Sequence, residues 1–305
     1  MTDLTIGIVS YNGKTLLADC LTSIYDSSPS CSFEILVVDN ASTDETPEWL
    51  RKAYPQVSLI ANHENLGIAV GNNQCLQATH GRYVLLLNND TVVLPGMLDK
   101  LVSFADQRPN AGAVGGKLIN PDGSFQASYS DFPNLWTEFL HATRFWSLYD
   151  PYYPSHTETT GNLEPRVVDW MSSACLLVRK AAADQIGGVD ESYIMYSDET
   201  DLQYRLKRAG WLVYYLPEVT TIHFGGQSAT HWRRRNLIYR GKLLFFKRNY
   251  SKFKTLALSI IFALSSCLKI LLWITLLIIP SIRTRARNEL ASNRDVLMLS
   301  LGIES

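Results

Sequence analysis

The sequence predicts an α/β fold built on a doubly wound, mostly parallel sheet, with an apolar helical segment near the C-terminus. Three observations support this prediction. Short β-branched runs alternate with stretches of helical periodicity. Several strand runs are apolar throughout, which is typical of strands buried on both faces. Polar residues stand directly after these runs. Short connections in such a pattern favour right-handed crossovers and helices on both faces of the sheet.

The elements of the first half follow in regular alternation. Apolar residues at helical spacing between Leu16 and Ile24 indicate the first helix, and Ser42 and Glu45 fit a capping box that would open the second. The predicted strands are 4–9, 35–38, 57–61, 83–87 and 113–114, and the later predicted helices are 66–78 and 94–105.

The second half is less regular. Asp122 and Gly123 form a hairpin turn signal, and the aromatic-rich stretch 132–153 lacks a clean period. A buried pattern resumes at 170–179, and a helix is predicted at 198–209 because Gly210 supplies a stop signal. The strands predicted after it are 212–216 and 219–222. We expect three regions, with boundaries at 1–118, 119–230 and 231–305.

The charge is distributed unevenly along the chain of 305 residues, although its formal net charge is only −1. Residues 1–230 hold 14 Lys or Arg and 26 Asp or Glu, whereas residues 231–287 hold 13 Lys or Arg and no acid. With 46% apolar and 19% charged residues, the chain is neither disordered nor collagen-like. An acidic globular body followed by a basic, apolar tail is the expected organisation.

The cysteines indicate a reducing compartment. There are five of them, an odd number, and no CxxC pair occurs. A disulfide framework or a structural zinc site is therefore not expected. The first residues have neither a basic nor an apolar leader pattern, so we expect no secretory signal.

Polar side chains follow three of the predicted strands, at Ser10–Asn12, Asp39–Asn40 and Asn88–Asp90. In doubly wound sheets ligands bind at the carboxyl ends of the strands, so these groups should line one crevice. Neither GxGxxG nor GxxxxGK[ST] is present, which argues against a dinucleotide oxidoreductase and a P-loop kinase. Carboxylates can instead hold a nucleobase imide, a ribose hydroxyl or a hard cation such as Mg²⁺ or Mn²⁺.

An ordered set of short motifs extends over roughly residues 4–250. They are VSYN at 9–12, VVDN at 37–40, NLG at 65–67, LLNND at 86–90, NPDGS at 120–124, WMSSAC at 170–175, GGVDE at 187–191, SDETDL at 197–202 and HFGGQS at 223–228. The set resembles the inverting GT-A glycosyltransferases of family 2, and its later members resemble the bacterial rhamnosyltransferase-like branch. The resemblance implies a GT-A fold, with a nucleotide-sugar half at 1–118 and an acceptor and catalytic half at 119–230.

On the donor side, the resemblance implies a role for each matching residue. Asp39 should contact the donor nucleobase, with Asn12 and Ser42 nearby. Asn88 and Asp90 stand where the family has its DxD motif, with Asn88 on the donor and Asp90 as the metal ligand. Asn88 replaces the first aspartate of that motif, so only one carboxylate is offered to the metal, Mg²⁺ or Mn²⁺.

On the acceptor side, the resemblance implies that His223 completes the metal or diphosphate site. Glu199 matches the general base of the family's acidic pair. That pair reads Asp198-Glu199 here rather than Glu-Asp, so either residue could act. Asp198 also stands where a helix N-cap is expected, and a helix dipole makes a carboxylate a poorer base, which favours Glu199. Trp170 is a candidate acceptor contact or a core residue.

These features predict an inverting glycosyltransferase of the hexosyltransferase type. The sugar would come from a nucleoside diphosphate donor, with rhamnose from dTDP-rhamnose as the first expectation, and pass to a lipid-linked or cell-surface polysaccharide acceptor. Two alternatives remain open. One is a catalytically silent GT-A-like module that only binds nucleotide sugars, and the other is a transferase that uses a UDP- or GDP-linked sugar.

The tail at 231–305 predicts membrane association. Lys269 is the only charge between residues 255 and 282, and a helix of that length would reach about 42 Å, beyond the ~30 Å hydrocarbon core. Basic residues are more numerous before this stretch than after it, which places the body at the cytoplasmic face of the cell membrane, the inner membrane in a bacterium. Whether the segment spans the membrane or lies on it stays open. A nucleic-acid partner is not expected, because the basic residues adjoin an apolar stretch.

Overall fold

The computed structural model describes residues 2–143, 163–225 and 231–303, which belong to two compact units. The sheet unit comprises residues 2–132, 163–194 and 198–225 of these ranges. The helical unit comprises residues 133–143, 195–197 and 231–303. Two predicted features, the aromatic stretch from residue 144 onward and the end of the HFGGQS motif, lie outside the described residues.

The elements are numbered along the chain. The strands are β1 (Leu4–Ser10), β2 (Phe33–Asp39), β3 (Ser58–Ala61), β4 (Tyr83–Asn88), β5 (Thr91–Val93), β6 (Ala111–Ile119), β7 (Phe125–Gln126), β8 (Tyr129–Ser130), β9 (Arg166–Val168), β10 (Trp170–Met171), β11 (Cys175–Arg179) and β12 (Leu212–His223). The helices are α1 (Lys14–Asp26), α2 (Thr46–Ala53), α3 (Gly67–Ala78), α4 (Met97–Gln107), α5 (Leu135–Thr143), α6 (Lys180–Ile186), α7 (Asp198–Arg208), α8 (His231–Asn249), α9 (Lys252–Leu276) and α10 (Arg283–Ser300).

The main sheet has the strand order β3-β2-β1-β4-β11-β6-β12-β5. Strands β3, β2, β1 and β4 are parallel, and β6 and β12 run in the same direction because β11 is antiparallel to both β4 and β6. β5, β7 and β9 add antiparallel pairings, and β8 with β10 forms a separate two-stranded sheet. The predicted doubly wound, mostly parallel α/β sheet is confirmed.

Helices cover both faces of this sheet, as its apolar strands predict. In β4, Leu85 and Leu87 pack into a cluster with α1, α2 and α4, whereas Val84 and Leu86 pack into a cluster with α3, α6 and α7. Successive side chains of a strand point to opposite faces, so a strand with a core on each side must be apolar at every position. Helix α7 is therefore held on the α3 face of the sheet.

Two local predictions were wrong. The proposed capping box at Ser42 and Glu45 does not form, and α2 begins at Thr46 instead. The carboxylate of Asp44 accepts hydrogen bonds from the backbone N–H and the hydroxyl of Thr46, at 3.2 and 2.5 Å. The helix expected from residue 94 begins at Met97, because the residues before it form β5 and a turn.

The helical unit is built from α5, α8, α9 and α10, which pack against one another. The hydroxyl of Ser265 in α9 donates to the carbonyl oxygen of Ala142 in α5, at 2.6 Å. The ammonium of Lys242 in α8 lies 2.8 Å from a carboxylate oxygen of Glu138 in α5. Within the part of the chain that the structure describes, α9 is the one helix long and apolar enough to cross a membrane.

Residues 195–197 belong to the helical unit and carry unusual backbone geometry. Tyr196 and Ser197 both have φ of 66°, in the left-handed region that non-glycine residues seldom adopt. Gly241 of α8 packs against them so closely that an added Cβ would lie 2.7 Å from the carbonyl oxygen of Tyr196. The guanidinium of Arg234 lies 5.8 Å from the centre of the Tyr196 ring.

We expect Gly116→Ala to lower the free energy of unfolding by about 1–3 kcal/mol. Its Cβ would lie 2.3 Å from the carbonyl oxygen of Val219, where the register between β6 and β12 shifts. Urea unfolding followed by circular dichroism measures the loss. The exposed Ser103→Ala on α4 is the control and should change stability by less than ~0.5 kcal/mol. Equal stability of the two variants would contradict the close approach of β6 and β12.

Candidate active site

Three parallel strands end side by side at one edge of the sheet. In the strand register Ser10 at the end of β1 is paired with Asp39 of β2, and Val9 is paired with Asn88 of β4. Neighbouring strands lie about 4.8 Å apart, so the backbones of Asp39 and Asn88 are separated by about 10 Å. The side-chain N–H of Asn89 donates to the hydroxyl of Ser10, at 3.1 Å. The strand ends thus form one continuous polar edge.

Asp39 is buried, yet its carboxylate is only half satisfied. The side chain of this residue is 1% exposed. Its Oδ2 accepts a hydrogen bond from the backbone N–H of Ser42, at 2.9 Å. Its Oδ1 has no hydrogen-bond partner among the residues that the structure describes. A buried acceptor without a partner is costly, so this atom is suited to receive a donor from a ligand.

The loops after β1 and β2 are bonded to each other beside Asp39. The backbone N–H of Asn12 donates to the hydroxyl of Ser42, at 2.9 Å. In return, Oδ1 of Asn12 accepts from the backbone N–H of Thr43, at 2.7 Å. Asn12 has φ of 51°, a conformation that asparagine tolerates better than most residues. The three predicted donor-side residues Asn12, Asp39 and Ser42 therefore form one cluster.

Asp90 and His223 come from distant parts of the chain and meet at this edge. β5 pairs with the last residues of β12, so that Thr91 lies opposite His223. Nε2 of His223 lies 3.3 Å from Oδ1 of Asp90 and 3.2 Å from Nδ2 of Asn88. The other carboxylate oxygen of Asp90 accepts from the backbone N–H of Gly225, at 3.1 Å. The predicted residues Asn88, Asp90 and His223 thus form a second cluster.

The second cluster is suited to bind a divalent cation. Nδ1 of His223 lies 2.6 Å from Oε1 of Gln126, an acceptor, so a neutral His223 that donates from Nδ1 offers the lone pair of Nε2 beside Oδ1 of Asp90. Metal-ligating histidines characteristically donate their second ring N–H in this way. Among the described residues no group of three or more His, Cys, Asp or Glu could hold a metal. The remaining ligands would therefore come from phosphate oxygens and water.

Helix α7 brings Glu199 to the same edge of the sheet. Leu212, the first residue of β12, pairs with Ala111 at the start of β6, and β12 runs in the direction of β4. α7 ends just before β12 begins and packs on the sheet through Leu202 and Leu206. The helix therefore runs opposite to the strands. Its N-terminal residues lie at the carboxyl edge, where the two clusters are.

Asp198 and Glu199 are the first two residues of α7, so the expectation that Asp198 precedes the helix as its N-cap was wrong by one position. Burial raises the pKa of Asp198. Burial and the adjacent carboxylate of Asp198 raise the pKa of Glu199 well above its ordinary value. Two carboxyl groups that lie side by side do not ionise independently. A glutamate with a raised pKa is a stronger base once it is deprotonated.

Trp170 lies between Asp169 and Met171, which bind Lys207 and Gln203 of α7. Gln203, one helical turn after Glu199, binds both the N–H and the C=O of Met171, at 2.8 and 2.7 Å, and also donates to the carbonyl oxygen of Glu199. The indole N–H of the half-buried Trp170 donates to the carbonyl oxygen of Asp131, at 2.9 Å. Trp170 is thus held next to Met171, which Gln203 of α7 binds.

Sequence reasoning missed three residues that support the candidate site, two at the second cluster and one on α7. Gln126 stands in a short strand without a motif, and nothing in its sequence context indicates that it faces His223. Gly225 belongs to the HFGGQS motif, but nothing in the sequence indicates that its backbone N–H binds Asp90. Gln203 could have been found, since it lies four residues after Glu199 on a predicted helix, where side chains share a face.

The family model described as glycosyl transferase family 2 matches residues 5–187. The chain belongs to this family. It is a glycosyltransferase with the GT-A fold. With an N-acetylglucosaminyl-diphospho-decaprenol L-rhamnosyltransferase of Mycobacterium tuberculosis it shares 35% identity over 247 residues, which cover 75% of this chain and 78% of that protein. With the O-antigen biosynthesis protein RfbC of Myxococcus xanthus it shares 32% identity over 223 residues, covering 70% of this chain and 16% of that protein.

Solved glycosyltransferases have the same fold. The mannosyltransferase PcManGT from Pyrobaculum calidifontis, solved with GDP-Man and Mn²⁺, matches this glycosyltransferase with a TM-score of 0.59 and 16% identity, over 99% of this chain and 89% of that one. GalNAc-T7, solved with UDP, GalNAc and Mn²⁺, matches with a TM-score of 0.60 and 14% identity, over 83% of this chain and 49% of that one. At these identities the likeness concerns the fold alone.

The raised pKa of Glu199 should appear in the pH dependence of stability. The folded state holds a proton on Glu199 that the unfolded state releases near pH 4.5, so stability falls as the pH rises from there through the raised pKa. Glu199→Gln should lose less stability than the wild type over this interval. Urea unfolding at a series of pH values measures the difference, with the exposed Glu48→Gln as the control. Parallel curves for Glu199→Gln and the wild type would contradict the raised pKa.

Proposed function

We propose that this glycosyltransferase moves L-rhamnose from dTDP-rhamnose, with inversion, to a lipid-diphosphate-linked glycan at the cytoplasmic face of the cell membrane. The observation that carries the reaction type is the meeting of Asp39, Asp90, His223 and the start of α7 at one sheet edge. The sugar and the acceptor rest on the 35% identical relative, whose name describes a rhamnosyltransferase that acts on a decaprenol-linked substrate.

The donor nucleobase is proposed to bind at the first cluster. Oδ1 of Asp39 lacks a partner among the described residues, and it would accept the imide N–H of thymine. Asn12 and Ser42 fix the loops on either side of it. Uracil carries the same imide, so this contact alone does not separate a dTDP donor from a UDP donor. Asn88, at the end of β4, would lie beside the sugar diphosphate.

The diphosphate is proposed to bind at the second cluster. Oδ1 of Asp90 and Nε2 of His223 would hold a divalent cation, Mg²⁺ or Mn²⁺, which would offset the charge on the departing diphosphate. In the neutral ring, the hydrogen bond to Gln126 favours the tautomer with the proton on Nδ1, which leaves the lone pair of Nε2 for the cation. The backbone N–H of Gly225 keeps the Asp90 carboxylate oriented.

Glu199 is proposed as the general base. An acceptor hydroxyl attacks the anomeric carbon while its proton passes to the carboxylate of Glu199. The new glycosidic C–O bond forms as the bond between the anomeric carbon and the diphosphate oxygen breaks, and the electron pair leaves with the nucleoside diphosphate. One displacement of this kind inverts the anomeric centre and needs no second nucleophilic carboxylate. Asp198 raises the pKa of Glu199 through its neighbouring negative charge. Trp170 would contact the acceptor glycan.

Glu199→Gln should lower kcat by about 10²–10⁴-fold, because the amide cannot accept the hydroxyl proton. In the wild type, kcat/KM should rise with pH through a pKa above the ordinary glutamate value of 4.5. Asp198→Asn should shift this rise in kcat/KM to lower pH, because it removes the negative charge beside Glu199. Rates measured from pH 5 to pH 9 test both expectations. Full transfer activity in Glu199→Gln would remove the base assignment.

Asp90→Asn should weaken Mn²⁺ binding at least tenfold, because it removes the only carboxylate of the second cluster. Electron paramagnetic resonance of Mn²⁺ titrated into the protein, with and without dTDP, measures the affinity directly. Asp184→Asn, which alters an exposed carboxylate paired with Lys180, is the control and should bind as the wild type does. Unchanged affinity in Asp90→Asn would exclude this cluster as the cation site.

A donor panel tests the function as a whole. We would follow turnover of dTDP-, UDP- and GDP-linked sugars, with and without EDTA, and expect dTDP-rhamnose to be the best donor and EDTA to abolish turnover. Preference for a UDP- or GDP-linked sugar would replace the donor assignment. Calorimetric binding of a sugar nucleotide without turnover of any would support the silent binding module instead.

A further inference from the structure

One face of α9 is both apolar and exposed. Leu264 and Leu268 are 62% and 66% exposed, which is unusual for large aliphatic side chains in a packed bundle. Residues three or four apart share a face of a helix, so these side chains form a line along α9. We call this line the α9 stripe, and its members are Phe253, Leu256, Ile260, Leu264, Leu268 and Leu271.

The other face of α9 is covered by the helical unit. Phe262 is buried against the ring of Tyr239 in α8, with ring centres 4.6 Å apart. The buried hydroxyl of Ser265 binds the backbone of α5. Trp273 lies beneath the guanidinium of Arg285 in α10, 5.7 Å from the ring centre. Among the described residues, α9 therefore has one face packed against other helices and one apolar face that is exposed along its length.

This packing is incompatible with a simple membrane span. α10 begins directly after the turn that follows α9 and packs back along it. If α9 crossed the hydrocarbon core, α10 would be carried in with its charged residues, among them Arg287, Glu289, Arg294 and Asp295. Charged side chains inside a bilayer are strongly disfavoured. The ion pair between Glu289 and Arg235, at 2.8 Å, also ties α10 to the basic helix α8.

Exposed cations flank the α9 stripe at both ends. Lys247, Lys252 and Lys254 are exposed before or at the start of α9, and Arg283 and Arg287 are exposed after its end. No acidic residue occurs between positions 231 and 288. A second copy of the chain would bring cations against cations in either a parallel or an antiparallel pairing of α9. An anionic lipid surface matches both the apolar stripe and the charge at its ends.

We propose that α9 lies in the plane of an anionic membrane as a monotopic anchor, with its stripe among the acyl chains of one leaflet and its flanking cations at lipid phosphates. This inference rests on the proposed membrane-bound function and specifies how the attachment is made. The whole chain, including α10, then stays on one side of the bilayer.

Cys267 provides a natural probe of this arrangement. It is exposed on α9, whereas Cys20, Cys75 and Cys175 are buried and Cys31 is half-buried. Burial raises the pKa of Cys31 to about 11 and of the buried thiols to about 11–12, so near pH 7 a maleimide dye should react with Cys267 first. Phe253→Cys and Ile274→Cys, each in a Cys267→Ser chain, place the dye on the same face near either end of the helix.

The experiment measures dye depth in vesicles of phosphatidylcholine and phosphatidylglycerol that carry nitroxide quenchers at a shallow or a deep acyl position. Positions 253 and 274 are about 32 Å apart along a helix. An in-plane helix places all three dyes at the same shallow depth, and we expect equal quenching. A spanning helix places the dye at Cys267 deep and the other two near opposite surfaces. That graded result would overturn the proposal.

A second measurement tests the stripe itself. Leu264→Glu combined with Leu268→Glu should reduce binding to the anionic vesicles at least tenfold, and vesicles of phosphatidylcholine alone should bind the wild type more weakly. Leu163→Glu, a change at a similarly exposed leucine of the sheet unit, is the matched control and should bind as the wild type does. Equal binding by all variants would overturn the proposal. So would dimerisation through the stripe, detected by sedimentation without vesicles.

Failure of this inference can be separated from failure of the proposed function. Donor turnover with a short, water-soluble acceptor needs no membrane, so it is measured on the wild type without vesicles. Donor turnover together with a deep dye at Cys267 and shallow dyes at positions 253 and 274 would reject the in-plane anchor and support the proposed function. Equal, shallow depths of all three dyes without turnover of any donor would reject the proposed function and support the in-plane anchor.

Discussion

The direction of the parallel strands is the constraint on which the active site depends. β1, β2, β4 and β12 all end at one edge of the sheet, and their last residues or the turns after them carry the polar side chains. A helix that returns to the start of such a strand must begin at that same edge. Asp39, Asp90, His223 and Glu199 therefore lie at the same edge of the sheet, although up to 184 positions separate them in the chain.

The sheet could be predicted from the sequence because its strands are buried on both faces. The continuous apolar run before Asp39 and the one before Asn88 each indicate a central strand, and each ends at a polar residue that an apolar core could not hold. For the candidate site, the sequence predicted that the polar residues after these strands lie at one edge of the sheet. The position of α7 followed from the periodicity of Leu202 and Leu206.

The partners of the site residues could not be predicted in this way. Gln126 binds His223 because β7 and the end of β12 both pair with the last residues of β6, and this depends on register rather than on local pattern. The start of α2 depends on whether the hydroxyl of Ser42 caps the backbone of Glu45 or binds the loop of Asn12, and the contact with Asn12 prevails. The tail shows the same limit. The hydropathy of residues 255–282 describes α9 alone, and it does not show that α10 packs along that helix.

The left-handed residues directly before α7 belong to the helical unit, whereas α7 itself belongs to the sheet unit. Tyr196 and Ser197 directly precede Asp198 and Glu199, and they pack against Gly241 of α8. A shortened protein that ends after β12 keeps every residue of both clusters but loses the surface that supports this segment. Truncated proteins made for crystallography or inhibitor screening should therefore retain α8, since otherwise the segment before Glu199, the proposed base, would lose its packing partner.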